Sequence, residues 1–343
     1  MKTKRALITG IAGQDGSYLA ELLLEKGYEV YGIARLPNDG ARTKVKNFLL
    51  PPEVNIIFGD IRDLSLIRKA LELSNPDEIF NLAGQSSVGA SFQKPEETME
   101  TNYYSFGRLV EEVFRRNPKA RVYQASSSEM FGNAREYPQK ETTLFMPESP
   151  YAVSKVKAYN DHVVNYRKNH DAYICSGILF NHESPRRGEQ FVTRKVTRSM
   201  AGIFLGTQKT LSLGNINVTR DFGYAKEYVE AMWLMLQQEK PEDFIIATGK
   251  LHSIKDIVNA SAGSLGMELF WSGEGGLEVA KNEKGEVVVN IDSNFYRPSE
   301  ISNTVGDASL AKEKLGWEPK MSFEELISLM THDDLILLKN SSQ

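Results

Sequence analysis

The chain has 343 residues with 41 Lys and Arg against 45 Asp and Glu, a formal net charge of −4; that length suits about two domains or one enlarged α/β domain, and that balance excludes a global field for nucleic acid or an anionic membrane. Hydrophobic residues at 41% and charged residues at 25% exclude a disordered chain, and no stretch approaches the roughly 20 apolar residues of a membrane span or reads as a signal peptide. The single cysteine, Cys175, excludes an intrachain disulfide and suits a cytoplasmic setting, and the five histidines lack metal-ligand spacing, so no metal is expected.

In chain order, residues 5–9 predict a strand, 17–26 a helix ending at Gly27, and 29–34 a second strand. Between the first two elements the sequence reads TGIAGQDGSYL, with Gly10, Gly13 and Gly16 in the spacing G-x-x-G-x-x-G. Glycine there permits a tight turn and lets backbone approach a pyrophosphate, while the helix start supplies N–H donors and a positive dipole end. Gln14 and Asp15 complete this loop, which opens a βαβ unit. The second strand ends in Arg35, where an NAD site usually carries Asp or Glu. A planar guanidinium suits a 2′-phosphate, with Arg42 or Lys44 assisting, and this predicts NADP over NAD; the other reading is a solvated surface arginine.

Residues 54–59 predict a third strand, followed by Asp60 and Ile61 where an adenine edge lies. A helix over 64–73 leads to a fourth strand over 78–82, and Leu82, Ala83 and Gln85 then fall beside the cofactor's diphosphate and ribose. A helix over 105–116 precedes a fifth strand over 121–125, which runs into QASSSEMFG (124–132). Ligands of open α/β sheets bind at the carboxyl ends of strands, so these serines face the cleft, where a hydroxyl can bridge a base and a substrate hydroxyl. Tyr151 and Lys155 form Y-x-x-x-K and share one helix face. There Lys155 is expected to lower the Tyr151 pKa and to hold the nicotinamide ribose, making Tyr151 a base near neutral pH. Glu129 adds a carboxylate that simple alcohol oxidation does not need. One such group can remove a proton α to a ketone and protonate a departing hydroxyl; the other reading is a cap for the following turn.

A helix over 155–170 and a buried strand over 172–180 follow. Beyond Asn181 the pattern is less regular, with a helix over 250–266, loop and hairpin over 274–286, and a helix over 323–338. Alternating strands and helices predict an α/β fold: a Rossmann-type doubly wound parallel sheet with a smaller, partly discontinuous α/β substrate domain. The expected division is 1–180, with a returning segment near 215–248, and mainly 181–343.

Seven segments carry a family resemblance: TGIAGQDGSYLAELLLEKGYEV (9–30), YQASSSEMFG (123–132), SPYAVSK (149–155), ILFNHESPRRG (178–188), FVTRKV (191–196), YVEAMWLMLQ (228–237) and YRPSE (296–300). The chain resembles the extended short-chain dehydrogenase/reductase superfamily, and within it the GDP-mannose 4,6-dehydratase family, to about residue 330. The resemblance implies a lyase of nucleotide-sugar metabolism that carries a GDP-mannose-type sugar to its 4-keto-6-deoxy form by internal hydride transfer through NADP. It places the catalytic set on Ser127, Glu129, Tyr151 and Lys155. It places sugar-nucleotide contacts on Ser86, Asn181 and Lys195, the diphosphate on Arg220 and Arg297, and the guanosine ribose near Glu300. His182 and Arg187 match residues near the nicotinamide and the adenosine phosphate. It also implies a homodimer, built on a helix pair that includes residues 155–170, or a homotetramer. The chain departs from the family pattern with Ser127 in place of Thr, Gly84 in place of Ala, Phe222 in place of Trp, Tyr103 and Tyr104 in place of a smaller pair, and LPNDG at 36–40. These departures leave GDP-manno-heptose as an alternative sugar. A C4 oxidase or epimerase of a GDP-sugar, and a non-enzymatic cofactor sensor, are the competing functions.

Overall fold

A computed structural model describes residues 3–35, 50–296, 301 and 303–341. Strands β1 (Arg5–Thr9), β2 (Glu29–Ala34), β3 (Asn55–Phe58), β4 (Glu78–Asn81), β5 (Arg121–Ser127) and β6 (Ile174–Leu179) lie in one sheet. Strands β7 (Asn181–Glu183), β8 (Leu211–Leu213) and β9 (Thr219–Tyr224) leave it, and β10 (Phe244–Ile246) returns to its edge. The order is β10-β6-β5-β4-β1-β2-β3, with every neighbouring pair parallel. This is the Rossmann-type sheet expected from the alternation of elements.

Alternate residues of each central strand enter opposite cores, as the two-residue period of a strand requires. Ile8, Phe80, Tyr123 and Cys175 pack beneath the helices Gln14–Glu25 and Ala225–Met235. Leu7, Ile79, Val122 and Ile174 pack against Leu64–Ser74 and Ser105–Arg116 on the other face. The strand order turns back between β1 and β4, and a crevice opens there beyond the carboxyl ends of the strands.

The second half builds around a separate core that includes Met200, Leu213, Phe222, Ile257 and Ile327. Strand β9 pairs with β7, β11 (Leu251–Ser253) and β15 (Asn303–Thr304). Strands β12 (Phe270–Ser272), β13 (Val279–Lys281) and β14 (Val287–Ile291) form a third sheet with β8, so β13 and β14 supply the hairpin expected near 274–286.

Several predicted boundaries move. The glycine-loop helix starts at Gln14 rather than residue 17. Strand β5 runs on through Ser127. The helix expected from residue 155 starts at Pro150, capped by Ser149, whose hydroxyl accepts from the Ala152 N–H at 3.1 Å; Pro at the first helical position needs no donor, so Ser-Pro is the true start signal. The predicted 250–266 helix divides into β11 and Ile254–Ser264, with Ser253 and Asp256 forming a capping box. No helix of the described residues is long and apolar enough to cross a membrane.

Candidate active site

A cleft of about 980 Å³ opens at the carboxyl ends of β1, β4, β5 and β6. The glycine loop forms its floor. Gly10 holds a positive φ of 72°, and a Cβ there would lie 2.8 Å from the Ala83 nitrogen. A Cβ on Gly16 would lie 2.5 Å from the Gly10 carbonyl and 2.6 Å from the Ile11 Cα. Only glycine lets strand, turn and helix pack this closely. Gly13 caps the helix without a side-chain hydrogen bond, so the first-turn N–H groups beside Gln14 and Asp15 are left for a ligand. Arg35 and Asp60 meet at the far end of this floor beside Ile61. The Arg62 hydrogen bonds hold the Asp60 carboxyl below its usual range, and the Arg35 charge adds to the effect. Arg42 and Lys44 lie outside the described residues.

The wall after β4 carries Leu82, Ala83, Gln85 and Ser86. Gln85 folds the turn by bonding Ser87 through both ends of its amide, at 2.9 and 2.6 Å. Buried Asn102 pins the same turn: its side chain accepts from the Gln85 N–H at 2.8 Å and donates to the Gln85 carbonyl at 3.0 Å. Asn102 also donates to Ser154 Oγ at 3.1 Å, tying the turn to the Pro150–Ala158 helix. Sequence reasoning missed Asn102, because its partners are distant in sequence.

The three serines after β5 separate by role. Ser126 Oγ accepts from Ser176 Oγ at 2.6 Å and is spent on the sheet. Ser128 is buried. Ser127 is the one hydrogen-bonded to Tyr151, and its Oγ also accepts from the Glu129 N–H at 3.3 Å. Glu129, Tyr151 and Lys155 line the cleft with it. Burial pushes the Tyr151 phenol up to about 12 against the Ser127 hydrogen bond, and nearby Glu129 adds to the rise. Burial pulls the Lys155 ammonium down to about 8. The expected lowering of the Tyr151 pKa by Lys155 is therefore not found. Lys155 Nζ donates to the Ala125 carbonyl at 2.8 Å and stands 5.9 Å from the Tyr151 ring centre, and burial disfavours the charge on both groups.

Asn181, His182 and Arg187 form the opposite wall. His182 Nε2 meets Asp15 Oδ2 at 2.9 Å, and its Nδ1 meets the Phe180 carbonyl at 2.7 Å. Gln14 Nε2 donates to the His182 carbonyl at 3.0 Å, and Ser184 Oγ donates to Gln14 Oε1 at 2.8 Å. Arg187 pairs with Glu183 at 3.1 Å and lies 3.7 Å over the Phe191 ring. Glu183, almost fully buried and bonded to Thr193, fixes that guanidinium. The sequence alone gave no signal for Glu183 or Thr193, since a buried carboxylate looks like any other until its partners are known.

Lys195 and Arg220 reach the cleft from the second half. Lys195 Nζ donates to the Ser212 carbonyl at 2.7 Å and stands 3.6 Å over the Phe295 ring. Arg220, 5% exposed, donates to the Thr219 carbonyl at 2.8 Å. Every predicted site residue among the described residues thus borders one cleft; Arg297 and Glu300 lie outside the described residues. The described residues hold no cluster of His, Cys, Asp and Glu that could bind a metal ion.

A family model described as GDP-mannose 4,6 dehydratase matches residues 7–330. The chain is 47% identical to GDP-mannose 4,6 dehydratase 2 of Caenorhabditis elegans, over 98% of this chain and 90% of that protein. It is 45% identical to the human GDP-mannose 4,6 dehydratase, over 98% and 92%. Among solved structures, UDP-glucose 4-epimerase of Thermotoga maritima with UDP-glucose superposes with a TM-score of 0.80 at 24% identity, covering 98% of this chain and 99% of that one. A dTDP-glucose 4,6-dehydratase of Bacillus anthracis in complex with NAD gives 0.78 at 20% identity, covering 99% and 98%. At those identities the solved structures speak for the fold.

Proposed function

We propose, because the chain belongs to the GDP-mannose 4,6-dehydratase family, that it is a hydro-lyase converting GDP-mannose to its 4-keto-6-deoxy product with a bound NADP. The observation that carries this reading is Glu129 in one cleft with Ser127, Tyr151 and Lys155. Oxidation or epimerisation at C4 needs the last three; loss of water needs a further acid–base as well.

The residues fit a nicotinamide dinucleotide. The uncapped helix start at Gly13 offers donors to a diphosphate, and Arg35 at the end of β2 suits a 2′-phosphate. Leu82, Ala83 and Gln85 continue that cradle. A bound dinucleotide would supply reversible two-electron chemistry, as acceptor of a hydride from C4 of the sugar and donor of one to C6.

The chain's own residues move the protons. Tyr151, assisted by Ser127, takes the proton of the sugar O4 as C4 becomes a ketone. Lys155 holds the ribose. The ketone acidifies the proton on C5. Glu129 removes that proton and delivers one to the C6 hydroxyl, which leaves as water; as C6 regains hydride, a proton returns to C5, matching the one Tyr151 took from O4. Asn181, Lys195 and Arg220 hold the sugar and diphosphate, joined by Arg297 and Glu300, with Ser86 at the sugar. Mass spectrometry of the product from GDP-mannose, beside GDP-manno-heptose, tests the reading. Loss of one water without net change in the cofactor is expected; an oxidised or epimerised product that keeps its water would refute it.

In this reading the first sheet, completed by β10, holds the cofactor, and residues 181–343 mainly hold the sugar nucleotide. The chain works in the cytoplasm as a homodimer or homotetramer. Exposed Tyr104 and Val153, on two neighbouring helical segments, support self-association, and light scattering on the purified protein checks it.

A further inference from the structure

The wall opposite Tyr151 contains a charge pair that the proposed proton transfers do not use. Asp15 lies in the first turn of the helix Gln14–Glu25, and His182 lies on β7. Both rest against the cofactor floor. The ring of His182 makes two hydrogen bonds. Nδ1 faces the Phe180 carbonyl at 2.7 Å, and a carbonyl only accepts, so Nδ1 carries a hydrogen. Nε2 faces the Asp15 carboxylate at 2.9 Å, and an ionised carboxylate also only accepts. Both nitrogens therefore carry hydrogen, and the ring is an imidazolium.

The surroundings support that state. The Tyr228 ring stacks on His182 with centroids 4.8 Å apart and planes 22° from parallel. Arg187, from the loop after β7, is the cation that opposes the imidazolium, and Glu183 is paired with that arginine. Tyr228 itself faces Asp221, Glu227 and Glu183, of which Glu183 is already paired with Arg187. Burial works against the charge on His182, but the facing Asp15 outweighs it and raises the pKa above the ordinary histidine value. On the other side, burial opposes the Asp15 charge and His182 overcomes it, holding that carboxyl low.

Asp15 is poorly placed for an enzyme that binds a dinucleotide. An unneutralised carboxylate at this helix start would repel a diphosphate. We propose that His182 is a positioning residue whose proton neutralises Asp15, so that the helix start accepts an anionic dinucleotide, and that cofactor retention falls when this proton is lost at alkaline pH. The proposal rests on the cofactor reading above. Linkage fixes its sign: the dinucleotide favours the imidazolium, so binding raises the His182 pKa by the factor through which protonation tightens binding.

Two measurements on the full chain test it. The first is titration with NADPH, followed by its fluorescence, from mildly acid to alkaline pH. Wild-type affinity should fall by roughly tenfold as His182 deprotonates. Asp15→Asn should remove that step and bind more tightly than wild type at alkaline pH. His182→Gln should bind weakly at every pH, and the double variant should recover affinity relative to His182→Gln alone. A step that persists in Asp15→Asn belongs to another group, such as Lys155, and overturns the proposal. The second measurement is nitrogen NMR of the wild-type imidazoles, which needs no variant. A neutral His182 ring at neutral pH overturns the proposal even if NADPH binds. Failure of any nicotinamide dinucleotide to bind at any pH, with His182 still protonated, overturns the cofactor reading instead and removes the proposal's premise.

Discussion

Tyr151 and Lys155 are both buried in the cleft wall, and burial opposes the charge each would need in the proposed acid–base roles. Lys155 makes the clearer case. In the unfolded chain it keeps its proton up to about 10.5; in the fold it loses it at about 8. Between those values the unfolded state binds more protons, so stability rises with pH. The shift corresponds to a penalty of roughly 3 kcal/mol on the charged form. Lys155→Met is thus expected to abolish turnover yet raise the thermal midpoint at neutral pH. The gain should shrink above about pH 8; melts across pH beside an activity assay check both parts. For Glu129→Gln, dehydration should fall by roughly 10² to 10⁴ while the 4-ketone still forms. Trapping that ketone with its water retained is the measurement; normal deoxy product at wild-type rate would remove Glu129 from the acid–base role. The legibility of these residues divides by what a one-dimensional pattern can carry. Tyr151 and Lys155 announce themselves by a four-residue spacing, and the serine run and Glu129 by their place after a strand. Which serine faces Tyr151 is set by the sheet, because Ser176 claims Ser126. The direction of the Tyr151 shift is set by burial, which spacing does not reveal. The Asp15–His182 pair spans 167 residues, and nothing local joins them.

The elements that present these side chains are held by short-range chemistry that sequence reading handles well, except at their ends. Apolar periodicity finds the middle of a helix; Ser149 and Pro150 find its start, and with it the placement of Tyr151 one residue on. The same holds at β5, where the strand keeps its ladder to β6 through Ser127 although its apolar run has already stopped. At the glycine loop, spacing and structure agree, and the cost of breaking it follows from the contacts. In Gly16→Ala the new Cβ meets backbone on two sides, where neither atom can swing away. The expected loss is roughly 1–3 kcal/mol of stability, the range for overpacking a tight site, together with loss of dinucleotide binding. Thermal denaturation and a cofactor titration read the two effects; a variant that melts and binds like wild type would show that the close packing is dispensable.

Across the whole molecule, a net charge of −4 conceals a local concentration of the opposite sign. Arg35, Lys155, Arg186, Arg187, Lys195 and Arg220 border the one cleft against Asp15, Asp60, Glu129 and Glu183, a surplus that composition could not foresee because it averages over position. The fold was legible at the same level: alternation gave the parallel sheet, while the small sheets of the second half, built from strands of two to six residues, left too little periodicity to read.

One joint in this architecture governs how the chain can be recombined. A single residue, Phe180, separates β6 from β7, yet the first sheet is finished only when β10 adds to β6. The helix Ala225–Met235 likewise covers the core beneath Ile8 and Tyr123. Residues 1–180 made alone should therefore show no cooperative thermal transition, and a sharp melt of that fragment would contradict this. A chimaera that exchanges the second half with a relative consequently needs five junctions rather than one. The first follows Phe180, two bracket residues 225–246, and two bracket residues 309–317, whose Ala311, Leu315 and Trp317 join the same core; both segments must be inherited with the first half.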